Sequence, residues 1–120
     1  MSEDILESDF LLRRLPLNNP DFTKPDGSFC SNAFKLNKNA EGLSVDLLRI
    51  SNYDVSIIDP KKYFLVKVPV TLITELNLEC VHDPTTENPA HCLIKGMITK
   101  SVSKKLAVAA EIHYPTPPDK

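Results

Sequence analysis

Apolar and polar side chains alternate along several short stretches of the chain, and this pattern predicts strands. Residues 43–47 alternate strictly, and residues 63–70 place Phe64, Val66 and Val68 on one face. Because successive side chains of a strand point to opposite faces, a period of two indicates a half-buried strand. Further strands are predicted over residues 10–15, 29–36, 78–82 and 91–95.

Two segments show the spacing of apolar residues that is typical of helices. Residues 71–76 begin at a threonine that can cap a helix and are followed by Asn77, which tolerates the left-handed backbone. The second helix is predicted from about Thr99 or Ser101 to Glu111, and its apolar stripe consists of Val102, Leu106, Ala109 and Ala110. Short strands without regular strand–helix alternation predict an α+β fold: a single compact domain with a mostly antiparallel sheet and the C-terminal helix packed on one face.

Charged and proline-rich stretches divide the chain into three parts. Residues 1–9 carry four acidic and no basic side chains, and we expect an acidic flexible N-terminal segment there. Residues 10–114 contain all the predicted elements and are expected to form the α+β domain. Residues 115–120 contain three prolines, which cannot continue a helix, so a Pro-rich C-terminal tail is predicted.

Composition and charge narrow the class of protein without identifying its function. The chain has 120 residues, 42% of them hydrophobic and 25% charged, which is typical of one globular domain. A net charge of −2 provides no general attraction for nucleic acid or for an anionic membrane. The longest apolar run has five residues, whereas a membrane span needs about 20. We therefore expect no membrane association.

The cysteines and the N-terminus favour a cytoplasmic location. Three cysteines are an odd number in a chain long enough to fold without disulfides, so inert thiols in a reducing compartment are expected. The first nine residues have neither the basic residues nor the apolar stretch of a secretory signal.

An arginine pair on the first predicted strand is a candidate ligand-binding feature. Arg13 and Arg14 are adjacent, so one of them points to the side on which neighbouring leucines are buried. A buried guanidinium needs an anionic partner, and arginine binds carboxylate and phosphate groups through two parallel hydrogen bonds. The alternatives are exposure of both side chains to solvent or a salt bridge to Asp46 or Asp83.

Two histidines bracket the predicted loop 83–90 and are the candidate catalytic residues. His82 lies where one strand enters the loop, and His91 lies where the next strand begins. Side chains at such junctions project from a rigid edge, and two imidazoles facing each other can act as acid and base. The alternative is that the histidines only hydrogen-bond to the loop backbone.

Other polar clusters support weaker interpretations. Ser31 follows a predicted turn and is a candidate ligand-binding hydroxyl, with capping of the turn as the alternative. The chain contains no glycine-rich phosphate loop, so no cofactor is expected. Four lysines form a candidate surface for nucleic acid, with a solvated helix face as the alternative: Lys95, Lys100, Lys104 and Lys105.

Four residues of zinc-ligand type lie close together in the sequence but do not predict a metal site. They are Cys80, His82, His91 and Cys92. His91 and Cys92 are adjacent, so on a strand they point to opposite faces. The two pairs also lack the spacer that lets a knuckle wrap around a metal ion.

Several short motifs follow one another in a fixed order along nearly the whole chain. They are Leu11–Pro16, Pro25–Gly27, Ser31–Phe34, Leu43–Asp46, His82–Pro84, Asn88–His91 and Gly96. In this order they resemble a family of small bacterial proteins without an assigned biochemical role, a resemblance that implies no catalytic residues. In architecture, Arg13 or Arg14 followed by Ser31 resembles the RES-type toxins and other ADP-ribosyltransferase-like folds, which implies a ligand-binding role for these side chains.

Two functions are compatible with these features. The first is an interaction or accessory protein that acts through a protein partner or a larger assembly, which the near-neutral charge and the lack of a strong catalytic motif favour. The alternative is a small nucleotide- or nucleic-acid-processing enzyme, transferase- or toxin-like, in which an arginine holds a phosphate and His82 or His91 transfers a proton. Convergence of these side chains in one pocket would distinguish the second function from the first.

Overall fold

Six strands form one antiparallel sheet whose spatial order differs from their order along the chain. In the computed structural model the strands are β1 (Phe10–Pro16), β2 (Leu43–Leu47), β3 (Tyr63–Pro69), β4 (Glu79–His82), β5 (His91–Lys95) and β6 (Glu111–Tyr114). Their spatial order is β4-β5-β2-β1-β3-β6, and every neighbouring pair is antiparallel. The structure describes residues 5–17, 19–26, 28–36, 41–59 and 61–114. Residues 1–4 of the acidic N-terminal segment, residues 37–40 and the proline-rich residues 115–120 lie outside the described residues.

In the part of the chain that the structure describes, three α-helices and two 3-10 helices lie between the strands. The α-helices are α1 (Tyr53–Ile57), α2 (Val70–Glu75) and α3 (Lys100–Ala109), and the 3-10 helices span Ser31–Phe34 and Leu48–Ile50. Helix α3 begins after Thr99, whose hydroxyl accepts a hydrogen bond from the Val102 backbone N–H at 3.2 Å. No helix within the described part of the chain is long and apolar enough to cross a membrane.

The two faces of the sheet are covered to different extents. The core face carries Leu11, Leu15, Val66 and Val68, and these side chains pack into one cluster with residues of α2, α3 and the 31–34 helix. The opposite face, which we call the open face, has a small apolar cluster in which Ile57 of α1 joins two strand residues. Directly paired strand residues share a face, so the ladder assigns these side chains to the open face: Leu12, Arg14, Asp46, Leu65 and His91.

Helix α3 packs on the core face, which confirms the predicted α+β domain with an antiparallel sheet and a docked C-terminal helix. Leu106 is fully buried in the same cluster as the strand valines. The buried stripe of α3 consists of Ser103, Leu106 and Ala107, so it is rotated from the predicted stripe, and Ala109 at its end is only half-buried. The Ser103 hydroxyl donates to the Phe34 carbonyl oxygen at 2.8 Å, which ties α3 to the 31–34 helix.

One predicted strand and the end of one predicted helix were wrong. Residues 29–36 form a 3-10 helix at their centre instead of a strand, because Ala33 and Phe34 are both buried and successive side chains of a strand cannot enter the same core. The last helix was predicted to reach Glu111, but it ends at Ala109 and β6 follows. Ile112 and Tyr114 favour extended structure, and the residue before a proline is restricted to it.

Candidate functional site

The two adjacent arginines of β1 have different surroundings. Arg13 is half-buried, and its guanidinium donates through Nε to the Ala33 carbonyl oxygen at 2.9 Å and through Nη1 to the Ser44 carbonyl oxygen at 2.8 Å. Burial and the neighbouring positive charge of Arg14 lower the pKa of Arg13 to about 10, so it stays protonated at neutral pH. Backbone carbonyls therefore satisfy Arg13 where the sequence predicted an anionic partner.

A cavity opens where β1 and β2 separate. β1 pairs with β3 from Phe10 to Pro16, but its ladder with β2 has only two paired positions, at Leu11 and Leu12. Beyond them a cavity of about 190 Å³ lies over the open face. Seven of the residues that line it are polar or charged: Arg13, Arg14, Ser44, Asp46, Ser56, Asn88 and His91.

Asp46 is a buried carboxylate in the wall of this cavity. Its side chain comes from β2, it is 8% exposed, and it lies directly opposite His91 of β5 in the ladder. One carboxylate oxygen accepts a hydrogen bond from the Asn88 Nδ2 at 2.9 Å, and the other accepts one from the Ser56 hydroxyl. Both donors are neutral, so they fix the position of the carboxylate without neutralising it.

Asn88 also organises the loop 83–90. Its backbone N–H donates a hydrogen bond to the Thr85 hydroxyl oxygen at 2.9 Å, and its side-chain oxygen accepts one from the Ala90 N–H at 3.2 Å. The loop is therefore closed on itself by hydrogen bonds next to the cavity.

His91 is held in one orientation by Asp83. Its Nδ1 lies 3.0 Å from the Asp83 carbonyl oxygen and 3.2 Å from the Asp83 carboxylate. Both of these groups accept hydrogen bonds, so Nδ1 carries the proton when the ring is neutral. This tautomer leaves Nε2 as the basic nitrogen that can exchange a proton with a ligand.

Arg14 supplies a positive charge at the cavity. It is exposed, its guanidinium carbon lies 5.4 Å from the centre of the Tyr63 ring, and its Nη1 donates to the Ser56 carbonyl oxygen at 3.3 Å. A guanidinium has five N–H donors, and this is its one hydrogen bond to the described residues. The others can hold a carboxylate or phosphate group.

Arg13 also lines this cavity, but His82 and Ser31 do not. His82 lies opposite Cys92 of the core face, and its Nε2 donates to the Pro89 carbonyl oxygen at 2.7 Å. Ser31 lines a separate cavity of about 300 Å³ beside Lys35 and Lys100. Of the four lysines predicted to bind nucleic acid, one is on β5 and three are exposed on α3: Lys95, Lys100, Lys104 and Lys105.

The cysteines form no disulfide and no metal centre. All three are free thiols, and within the described ranges no group of three or more His, Cys, Asp or Glu side chains could hold a metal ion. Interaction between the neighbouring Cys80 and Cys92 thiols raises the pKa of Cys80 and lowers that of Cys92. His91 is on the opposite face from this pair, as the spacing indicated.

Three residues of the site were missed by sequence reasoning as ligand contacts: Asp46, Ser56 and Asn88. Asp46 occupies a polar position of an alternating strand, and this pattern predicts a solvent-facing side chain. In the structure Asp46 is buried and is hydrogen-bonded to Ser56 of α1. Ser56 and Asn88 reach the cavity only through tertiary structure.

Comparison with known proteins adds no relative, because no protein-family model, no curated protein and no solved structure matches the chain.

Proposed function

We propose that the protein binds a small acid in the cavity over the open face and that His91 exchanges a proton with it. The observation that carries this proposal is the meeting of Arg14 and His91, from β1 and β5, in the lining of one cavity. Arg14 is the anion contact, and Asp83 is a positioning residue that acts through His91.

The chemistry follows from the tautomer of His91. An imidazole whose Nδ1–H is held by an acceptor presents Nε2 as a base, and the nearby Asp83 carboxylate stabilises the imidazolium that forms when the proton arrives. A ligand whose acidic group contacts Arg14 can place its proton-bearing atom near Nε2. The site therefore supports general acid–base chemistry on an anionic substrate.

The size of the cavity restricts the ligand. Typical small-molecule pockets have about 300–1,000 Å³, whereas this cavity has about 190 Å³. It accommodates a carboxylate or phosphate group with a few further atoms. We therefore favour a small acid, or the phosphate end of a longer molecule such as a nucleotide, as the substrate.

A titration followed by backbone amide NMR tests this proposal. Inorganic phosphate and propionate are added separately to the wild-type protein and to Arg14→Gln, with Lys105→Gln as the control because Lys105 is exposed on α3. We expect shifts concentrated at Ser44, Asp46 and His91 in the wild type and in K105Q, and their loss in R14Q. Shifts confined to the cavity beside Lys35 and Lys100, or shifts that R14Q leaves unchanged, would contradict the proposal.

Two further interpretations stay predictions. One is the action of the chain as an interaction or accessory protein, and the other is binding of nucleic acid by the lysines of β5 and α3. We also propose a cytoplasmic location, which the three free thiols support.

A further inference from the structure

Arg14 and Asp46 line the same cavity with opposite charges and do not neutralise each other. Asp46 makes no ion pair with any side chain that the structure describes, and its hydrogen-bond partners are Ser56 and Asn88. Ser56 stands between the charges: its hydroxyl donates to the Asp46 carboxylate, and its carbonyl oxygen accepts from Arg14. Ser56 thus lies between the Arg14 guanidinium and the Asp46 carboxylate.

The Asp46 side chain lies in the wall of the cavity, and both groups that donate to its carboxylate are neutral. Each carboxylate oxygen has two acceptor positions, so further acceptor positions are open on Asp46. A cationic donor entering the cavity would compensate the buried charge.

Three basic side chains line the cavity beside Asp46: Arg13, Arg14 and His91. His91 faces Asp46 from β5 with its Nδ1 committed to Asp83, and Arg14 comes from β1 with Ser56 of α1 between it and Asp46. Arg13 donates to the Ala33 and Ser44 carbonyl oxygens. None of these basic side chains forms an ion pair with the Asp46 carboxylate. The cavity therefore contains an acid-binding end at Arg14 and a separate amine-binding end at Asp46.

We propose that the ligand of this cavity is a small zwitterion, a molecule with an amine at one end and a carboxylate or phosphate group at the other. The amine donates to Asp46, and the acidic group accepts from Arg14. This inference rests on the proposed function, because it uses the same cavity and the same arginine. It narrows the substrate class from small acids to amino acids and amino phosphates.

A matched ligand series tests the inference on the wild-type protein. The probes are the ω-amino acids from glycine to 5-aminopentanoate, the ω-hydroxy acids of the same lengths, and the plain carboxylates from acetate to pentanoate. Affinities are measured by NMR titration. We expect at least one amino acid to bind about tenfold or more tightly than both its hydroxy and its plain counterpart, the ratio typical of a charged hydrogen bond.

Two variants locate the effect. Asp46→Asn is expected to bring the amine-to-plain affinity ratio close to one while the plain carboxylate still binds, and Arg14→Gln is expected to weaken every probe. Amine and plain acids that bind the wild type equally at every length would overturn the zwitterion inference and leave the acid site intact. Failure of all acids to bind at Arg14 would instead overturn the proposed function. The wild-type series decides the matter even if D46N does not fold.

Discussion

Arg13 and Arg14 are neighbours in the chain, yet Arg13 donates to two backbone carbonyls and Arg14 faces a polar cavity. The strand alternation separates them, because successive side chains point to opposite faces of the sheet. Both arginines line the cavity, but Arg13 is committed to two backbone carbonyls of the fold, whereas Arg14 makes one such bond and has more donors left for a ligand. Substitutions of the two residues should have different consequences.

Replacing Arg13 is expected to reduce stability. Arg13→Gln removes donors from the Ala33 and Ser44 carbonyl oxygens, and losing hydrogen bonds to a charged group costs about 1.5–3 kcal/mol each, part of which water recovers. We expect the free energy of unfolding in urea to fall by about 2–4 kcal/mol. The matched variant Arg14→Gln removes one long hydrogen bond and an exposed contact with the Tyr63 ring, so it should cost about 1 kcal/mol or less. Equal losses in the two variants would show that the faces are wrongly assigned.

Helix α3 offers a direct test of its docking. Leu106 is fully buried, whereas Val108 is 78% exposed on the same helix. Leu106→Asp places a carboxylate in the core and is expected to unfold the domain, while Val108→Asp should leave the melting temperature nearly unchanged. Circular dichroism measures both. An L106D variant that melts within one or two degrees of the wild type would mean that α3 does not pack on the sheet.

Ile58 follows α1 in a backbone conformation that β-branched residues rarely adopt. Its φ is 64°, and its side chain is 61% exposed, so it contributes little burial to balance the strain. Ile58→Asn should therefore raise the free energy of unfolding by about 1 kcal/mol, since asparagine tolerates this conformation. Asn77 has a similar φ of 58°, and Asn77→Ile is expected to show the opposite change. A decrease in stability for I58N would contradict this explanation.

The ion pair between Asp9 and Arg49 predicts a pH dependence. The two side chains join through two contacts, of 3.0 and 3.2 Å, and the Arg49 hydrogen bonds hold the pKa of Asp9 below its usual value. A carboxyl whose pKa is lower in the folded than in the unfolded state stabilises the fold above the unfolded value, about 3.9, and this contribution is lost as the pH falls through the folded value.

The variant Asp9→Asn measures that contribution. We expect it to reduce the free energy of unfolding by about 1–2 kcal/mol at pH 7. The difference from the wild type should shrink below pH 4. Asp21→Asn is the control, because Asp21 is exposed. A difference that is constant from pH 7 to pH 2.5 would show that the charge of Asp9 is not responsible.

Period-two patterns identified β2 and β3 correctly, because each strand buries one face in a well-defined core. The same reasoning failed at residues 29–36, where tertiary packing of Ala33 and Phe34 outweighs the local pattern. For the two histidines, the sequence predicted the loop 83–90 that separates them, but it did not predict how the flanking strands β4 and β5 pair. His82 pairs with Cys92 and shares its face of the sheet. His91 is the residue before Cys92 on the same strand, so it lies on the opposite face. Register depends on hydrogen bonds inside the loop, which periodicity does not reveal.

The site was partly predictable for a related reason. Arg14 and His91 are residue types that bind anions and exchange protons, so their chemistry is visible in the sequence. The burial of Asp46 and the position of Ser56 between two charges depend on where α1 packs over the sheet. That packing involves residues far apart in the chain, and no local pattern encodes it.

The imidazole of His91 provides the most direct test of the central claim, that this cavity binds a small acid beside a basic Nε2. Long-range ¹H–¹⁵N NMR of the histidine rings is recorded with and without propionate, in the wild type and in Arg14→Gln. We predict that the neutral form of the ring carries its proton at Nδ1, and that the Nε2 resonance moves on adding propionate only when Arg14 is present. A ring protonated at Nε2, or an Nε2 resonance that propionate leaves unchanged in the wild type, would contradict the account.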